Sequence, residues 1–150
     1  MIENEDITFR TAEYLKNICE KLSIPLIFKS SFDKANRSSI SSYRGPGIEK
    51  GLEILNKVRE KFNIPITSDI HCTSQINLAS EILDLIQIPA FLSRQTDLIV
   101  ETAKTGKPLN IKKGQFLAPW DVKNVIEKAT SSGNENVMIT ERGTCFGYNN

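Results

Sequence analysis

Five short apolar runs, each followed by residues that do not belong in a core and separated by helical patterns, constrain this chain more than any other feature. The runs are Ile24-Pro25-Leu26-Ile27-Phe28, residues 64–70, Leu85-Ile86-Gln87-Ile88, Leu109-Asn110-Ile111 and Val137-Met138-Ile139. The first, with Pro25 at its start, reads as a strand buried on both faces, and the others read as further strands. Before that run, Ala12, Leu15, Ile18, Cys19 and Leu22 recur every three to four residues, as on one face of a helix. Further helices are expected over 47–62, with Ile48, Leu52, Leu55 and Val58 inward, and around 76–83. Thr96 is expected to cap a helix ending near Gly106, and Pro119 to open one running to about Ser131.

Strands and helices taking turns, at roughly 20 to 40 residues per repeat, indicate a parallel sheet with helices packed outside it. An open doubly wound sheet and a closed barrel both satisfy that alternation. The polar residues favour the barrel. The strand ends read Lys29 and Ser30, Asp69 and His71, Gln87, Lys112 and Lys113, then Glu141 and Arg142. In a (β/α)8 barrel all five ends converge on one mouth, where such folds keep their chemistry. Residues 1–150 are therefore expected to form one α/β domain, part of a (β/α)8 (TIM) barrel.

Of the 150 residues, 39% are apolar, enough for a core. Nineteen Lys and Arg against eighteen Asp and Glu leave a charge of +1, which gives no reason to expect nucleic acid or an anionic membrane as partner. The start, Met-Ile-Glu-Asn-Glu-Asp, lacks a secretory pattern and no stretch is apolar enough to span a bilayer, so a cytoplasmic location is expected. Cys19, Cys72 and Cys145, an odd number without paired spacing, read as reduced thiols rather than a disulfide framework or structural zinc site.

Lys29, Lys34, Arg37, Lys112 and Arg142 would place several cations around one mouth in a nearly neutral chain, which suits phosphates or carboxylates. Taken singly, each is more often a solvated surface charge; their shared strand-end placement singles them out. Residues 28–39 carry two Lys, Arg37, Asn36 and four serines directly after a strand, and no glycine. Such a loop wraps an anion with side chains, unlike a Walker-type loop built on backbone amides. Asp69 and His71 share one side of a strand while Cys72 points elsewhere, which leaves two candidate metal donors where at least three are wanted. Neither Gly-x-Ser-x-Gly nor Gly-x-Gly-x-x-Gly occurs, so hydrolase and dehydrogenase readings have no support.

The 28–39 loop, Ser42-Tyr43-Arg44-Gly45, Asp69-Ile70-His71, Gln87-Ile88-Pro89-Ala90-Phe91-Leu92, Arg94-Gln95-Thr96-Asp97-Leu98, Lys112-Lys113-Gly114-Gln115-Phe116, Glu141-Arg142-Gly143 and Phe146-Gly147-Tyr148-Asn149-Asn150 together resemble the 3-deoxy-D-manno-octulosonate 8-phosphate synthase family. The likeness spans essentially the whole chain. Lys34-Ala35-Asn36-Arg37-Ser38-Ser39 is its most specific part, because the related aromatic-pathway synthases have a differently composed loop for erythrose 4-phosphate. The resemblance implies condensation of phosphoenolpyruvate with arabinose 5-phosphate, a step toward lipopolysaccharide, by a homotetramer. It implies that Lys29, Lys34, Gln87, Lys112 and Arg142 hold phosphoenolpyruvate, that Asn36, Arg37 and Ser38 hold the sugar phosphate, and that Arg94 reaches the sugar phosphate of a neighbouring subunit. Lys34, Asp69 and His71 are the implied catalytic groups, the last two by proton transfer near the reacting carbons.

This sequence has Ser41 where many members have His, and Cys72 where many have Glu. By the same resemblance, the first strand and the last two strands of the barrel lie outside residues 1–150. So do all four ligands of the divalent metal that one branch of the family uses, and within this chain no cofactor is expected. A non-catalytic shortened remnant, and a synthase acting on erythrose 4-phosphate, remain open as other readings.

Overall fold

Asn4 sets the first helix of the computed structural model, which describes residues 1–145 and 147. Its side-chain oxygen accepts the Ile7 N–H at 2.8 Å, and the Thr8 hydroxyl returns to the Asn4 carbonyl at 2.7 Å, so α1 spans Glu5–Lys21. Glu5 and Asp6 in the first turn and Lys21 in the last oppose the helix dipole. The helix thus starts about two turns before the apolar spacing that begins at Ala12, because its start is written in a polar cap. Phe146, Tyr148, Asn149 and Asn150, part of one of the resembling segments, lie outside the described residues.

The chain divides into two compact units, Met1–Ser68 with Glu81–Asp84, and Asp69–Ser80 with Leu85–Asn150. In the first, the strand expected over 24–28 shrinks to β1, Phe28–Lys29. Ile24 and Ile27 are 54% and 42% exposed, so the run is not buried on both faces. Pro25 has no N–H for a ladder, and Phe28 is the first donor, to the Pro65 carbonyl at 2.8 Å. Helix α2, Ile48–Phe62, buries Leu52, Leu55 and Val58 to 2% exposure or less, each worth roughly 1.5–3 kcal/mol of transfer free energy. Asn63, at φ 51°, turns the chain out of α2. It leads to β2, Ile66–Asp69, which pairs in parallel with β1 through Phe28 opposite Ile66 and Lys29 opposite Thr67. Phe9 of α1 meets Phe62 of α2 at 6.0 Å between ring centres, and Lys57 bonds Glu5 and Glu53. Asp84 accepts the Ile66 N–H at 2.9 Å and donates its own N–H to the Ile66 carbonyl, which holds the entrance to β2.

The later elements are a 3-10 turn at Thr73–Gln75 running into α3, Ile76–Ile82, then β3, Leu85–Ile88, α4, Thr96–Ala103, β4, Leu109–Lys112, α5, Val122–Thr130, and β5, Val137–Thr140. Gln95, not Thr96, occupies the cap position of α4; Thr96 is already helical and makes no capping bond. Pro119 opens a 3-10 turn, Pro119–Asp121, ahead of α5. In the second unit β3, β4 and β5 are parallel and adjacent in chain order. Ile86 and Ile88 stand beside Leu109 and Ile111, which stand beside Val137 and Ile139. Ile86, Ile88, Leu109 and Ile111, with Leu98 and Ile99 of α4 and Val125 and Ala129 of α5, supply its apolar core. The other face of the same strands carries Gln87, Asn110, Lys112, Met138 and Thr140.

Parallel strands separated by helices put the protein in the α/β class, compatible with part of a (β/α)8 barrel. Among the described residues no helix is long and apolar enough to cross a membrane, and Cys19 and Cys72 are free thiols.

Candidate active site

At the end of β1 the backbone turns into the serine-rich loop, and Ser31 becomes its centre. Ser31 is 1% exposed, and its hydroxyl oxygen accepts from the Lys29 ammonium at 2.9 Å and the Lys34 ammonium at 2.8 Å. Two positive charges are thereby held side by side, and a phosphate or carboxylate arriving there meets both. The Ser31 carbonyl accepts the Ile2 N–H at 3.0 Å, so the segment before α1 braces the loop from behind.

The far arm of the loop is held as firmly. Arg44 grips both carboxylate oxygens of Asp33, at 2.9 and 2.5 Å, and the Arg44 carbonyl accepts the Lys34 N–H at 2.6 Å. Gly45 follows at φ 127°, where a Cβ would lie 2.3 Å from the Phe32 carbonyl oxygen; only glycine fits that approach. Asn36, Arg37 and Ser38 sit between the arms and are exposed. Arg37 donates to the Tyr43 carbonyl and approaches the Met1 sulfur, both at 3.4 Å. The structure thus gathers Lys29 and Lys34, and leaves the three residues expected to hold the sugar phosphate on the exposed part of the loop.

In the second unit, Asp69 and His71 are neighbours, with His71 Nε2 3.3 Å from Asp69 Oδ2 and both side chains largely buried. The His71 N–H donates to the Gln75 side chain at 2.7 Å, which fixes the backbone at this strand end. A carboxylate against one ring nitrogen orients the imidazole, the arrangement a proton-transfer group needs. A cavity of about 280 Å³ opens beside it, lined by His71, Cys72, Leu92, Gln95, Asp97 and Leu98. Among the described residues no three His, Cys, Asp or Glu side chains gather where an ion could be held.

Gln87, 4% exposed, and Lys112 lie on one face of the sheet with Asn110, which stands opposite Gln87 and two residues before Lys112 on β4. Asn110 accepts the Thr140 hydroxyl at 2.7 Å. Arg142 is exposed just after β5, its N–H donating to Glu141 Oε1 at 2.9 Å. Arg94 is exposed at the entrance to α4, where its carbonyl accepts the Lys128 ammonium at 3.0 Å. Burial acts to raise the Glu141 carboxyl, but the Gly143 N–H, the Lys113 ammonium and the Arg142 N–H outweigh it and hold the group below its ordinary range.

Ser31 and Asn110 are site residues that residue type alone did not single out. Asn110 was open to detection, since it alternates with Lys112 along β4. Ser31 was not, because four serines crowd the loop and nothing in their spacing distinguishes the one to which both lysines donate.

A profile of the DAHP synthetase I family matches residues 1–150. The chain is 61% identical over 150 residues to the 2-dehydro-3-deoxyphosphooctonate aldolase of Trichlorobacter lovleyi, covering 100% of this chain and 55% of that protein. The protein of the same name from Geotalea daltonii is likewise 61% identical, with 100% and 55% covered. That of Desulfosudis oleivorans is 59% identical, with 100% and 54% covered. The chain therefore spans about half the length of the curated relatives it matches.

Proposed function

The chain belongs to the DAHP synthetase I family, and from that premise we propose that the whole protein condenses phosphoenolpyruvate with arabinose 5-phosphate and water, giving 3-deoxy-D-manno-octulosonate 8-phosphate and inorganic phosphate. The names of the similar aldolases support the choice of sugar over erythrose 4-phosphate. The observation that carries the proposal is the convergence of Lys29 and Lys34 on the buried Ser31 hydroxyl, in a loop rich in further donors.

In this reaction the enol π electrons of phosphoenolpyruvate form a bond from C3 to the aldehyde carbon. The aldehyde oxygen becomes an alkoxide and takes a proton. Water adds at C2 and gives up one proton, and as the C–O bond to phosphate breaks the remaining hydroxyl proton leaves with inorganic phosphate, giving the ketone. The substrates bring two phosphates and a carboxylate together, and cations are what make that approach affordable. Lys29, Lys34, Gln87, Lys112 and Arg142 are assigned to phosphoenolpyruvate; Asn36, Arg37 and Ser38, on the exposed part of the loop, to arabinose 5-phosphate. Asp69 and His71 are assigned to proton transfer, and Arg94 to the sugar phosphate held by a neighbouring subunit of a homotetramer. By the family resemblance, donors for a divalent metal fall outside residues 1–150, so no cofactor is assigned to them. The proposal places the protein in the cytoplasm, on the route to lipopolysaccharide.

The test is phosphate release from phosphoenolpyruvate by the full-length protein. Release should require arabinose 5-phosphate, and Lys34→Ala should lower the rate by about a hundredfold or more, as loss of a charged group aimed at the reacting anion does. Equal rates in variant and wild type would remove Lys34 from the site.

A further inference from the structure

Lys113 follows a residue assigned to the substrate, yet its own side chain points the other way. Along β4, Leu109 and Ile111 face the apolar core and Asn110 and Lys112 the opposite side; Lys113 continues the buried set and is 2% exposed. A lysine is almost never that buried without partners. Its ammonium donates to the Gly143 carbonyl at 2.9 Å and to the Gly114 and Leu117 carbonyls at 3.2 Å, and lies 3.3 Å from Glu141 Oε1. One side chain therefore ties the segment after β4 to the segment after β5.

Glu141 completes the tie. The same carboxylate oxygen accepts the Arg142 N–H at 2.9 Å and the Gly143 N–H at 2.7 Å, which folds the chain around residue 142. Gly143 has a φ of 74°, a conformation glycine adopts without strain. Backbone bonds from Lys113 N–H to the Thr140 carbonyl, at 2.9 Å, and from Cys145 N–H to the Gln115 carbonyl, at 3.3 Å, join the same two segments. Lys112 and Arg142 each stand one residue from a member of this network, so the backbone positions from which both cations extend are set by it.

We propose that Lys113 is a positioning residue for phosphoenolpyruvate, acting through the backbone of Lys112 and Arg142 without touching substrate. This rests on the assignment of those two cations given above. The buried ammonium does what a supporting shell does in any precise site: it locks the segments that carry the contacting groups.

Steady-state kinetics on the full-length protein, with each substrate varied in turn, tests the proposal in wild type, Lys113→Met and Glu141→Gln. Lys113→Met should raise KM for phosphoenolpyruvate by about tenfold to a hundredfold and leave KM for arabinose 5-phosphate within about threefold. Glu141→Gln should shift in the same direction by less. A purely structural lysine would reduce the amount of folded enzyme without separating the two KM values. Unchanged KM values in folded Lys113→Met, or a parallel rise in both, would overturn the proposal. Should Lys113→Met fail to fold, Glu141→Gln decides alone: a raised KM for phosphoenolpyruvate supports the proposal and an unchanged one overturns it. Wild-type enzyme that does not turn over the two substrates would overturn the assigned reaction and this proposal together, an outcome visible before any variant is made.

Discussion

Lys112 and Arg142 each extend from a backbone segment that the buried Lys113 ammonium and the Glu141 carboxylate tie together. Replacing either by Ala in the full-length protein should lower kcat/KM for phosphoenolpyruvate by a factor equivalent to about 2–3 kcal/mol, the cost of removing one charged partner of a bound anion. Wild-type kcat/KM in both variants would place them outside the site. Glu141 adds a pH dependence. Its carboxyl is held below the ordinary range in the folded protein, so the stability it contributes is present in full above the unfolded value and is lost as pH falls through the folded one. The stability difference between wild type and Glu141→Gln, read by denaturant titration, should therefore shrink toward zero on acidification; a difference independent of pH would contradict the assignment. At this scale the sequence was most readable where charge and position coincide. Lys29, Asp69, His71, Gln87 and Lys112 could all be picked out as polar residues at the ends of apolar runs, and Lys34 as a cation of the loop after the first. The role of Lys113 could not, because burial of its ammonium depends on carbonyls at Gly114, Leu117 and Gly143 that only the folded chain collects.

Among the elements, α1 depends on a cap that lies outside its apolar pattern. Asn4→Ala should cost about 1 kcal/mol of stability, measured by denaturant unfolding, since the Ile7 N–H would lose its acceptor; no loss would mean that the bond is not made in solution. The expected helix over 47–62 differs from α2 by one residue, and the run at 85–88 coincides with β3, because apolar periodicity and strand length both point the same way there. The run at 24–28 shows where that logic fails. Apolar residues were read as buried, but Ile24 and Ile27 are exposed in the described structure and Pro25 interrupts any ladder. Thr96 fails for a smaller reason: a good capping residue beside another polar residue, Gln95, does not reveal which one precedes the first helical turn.

Taken as a whole, the molecule carries a formal charge of only +1 while placing Lys29 and Lys34 together in one unit and Lys112 and Arg142 on tied segments of the other. Under the proposed function, local concentration of charge, not overall charge, is what would suit it to anionic substrates. The α/β class was legible from alternation alone, and the barrel preference from the polar strand ends. The choice of sugar was not legible in composition or spacing; it rests on the loop at 34–39 and on relatives of which this chain spans about half. Specificity between the two sugar phosphates is therefore the most direct test. The full-length protein should form product from phosphoenolpyruvate with arabinose 5-phosphate at a kcat/KM at least about a hundredfold above that with erythrose 4-phosphate, a ratio within reach of differential transition-state binding. Equal or reversed preference, in a competition assay with both sugars present and products resolved by mass, would contradict the account.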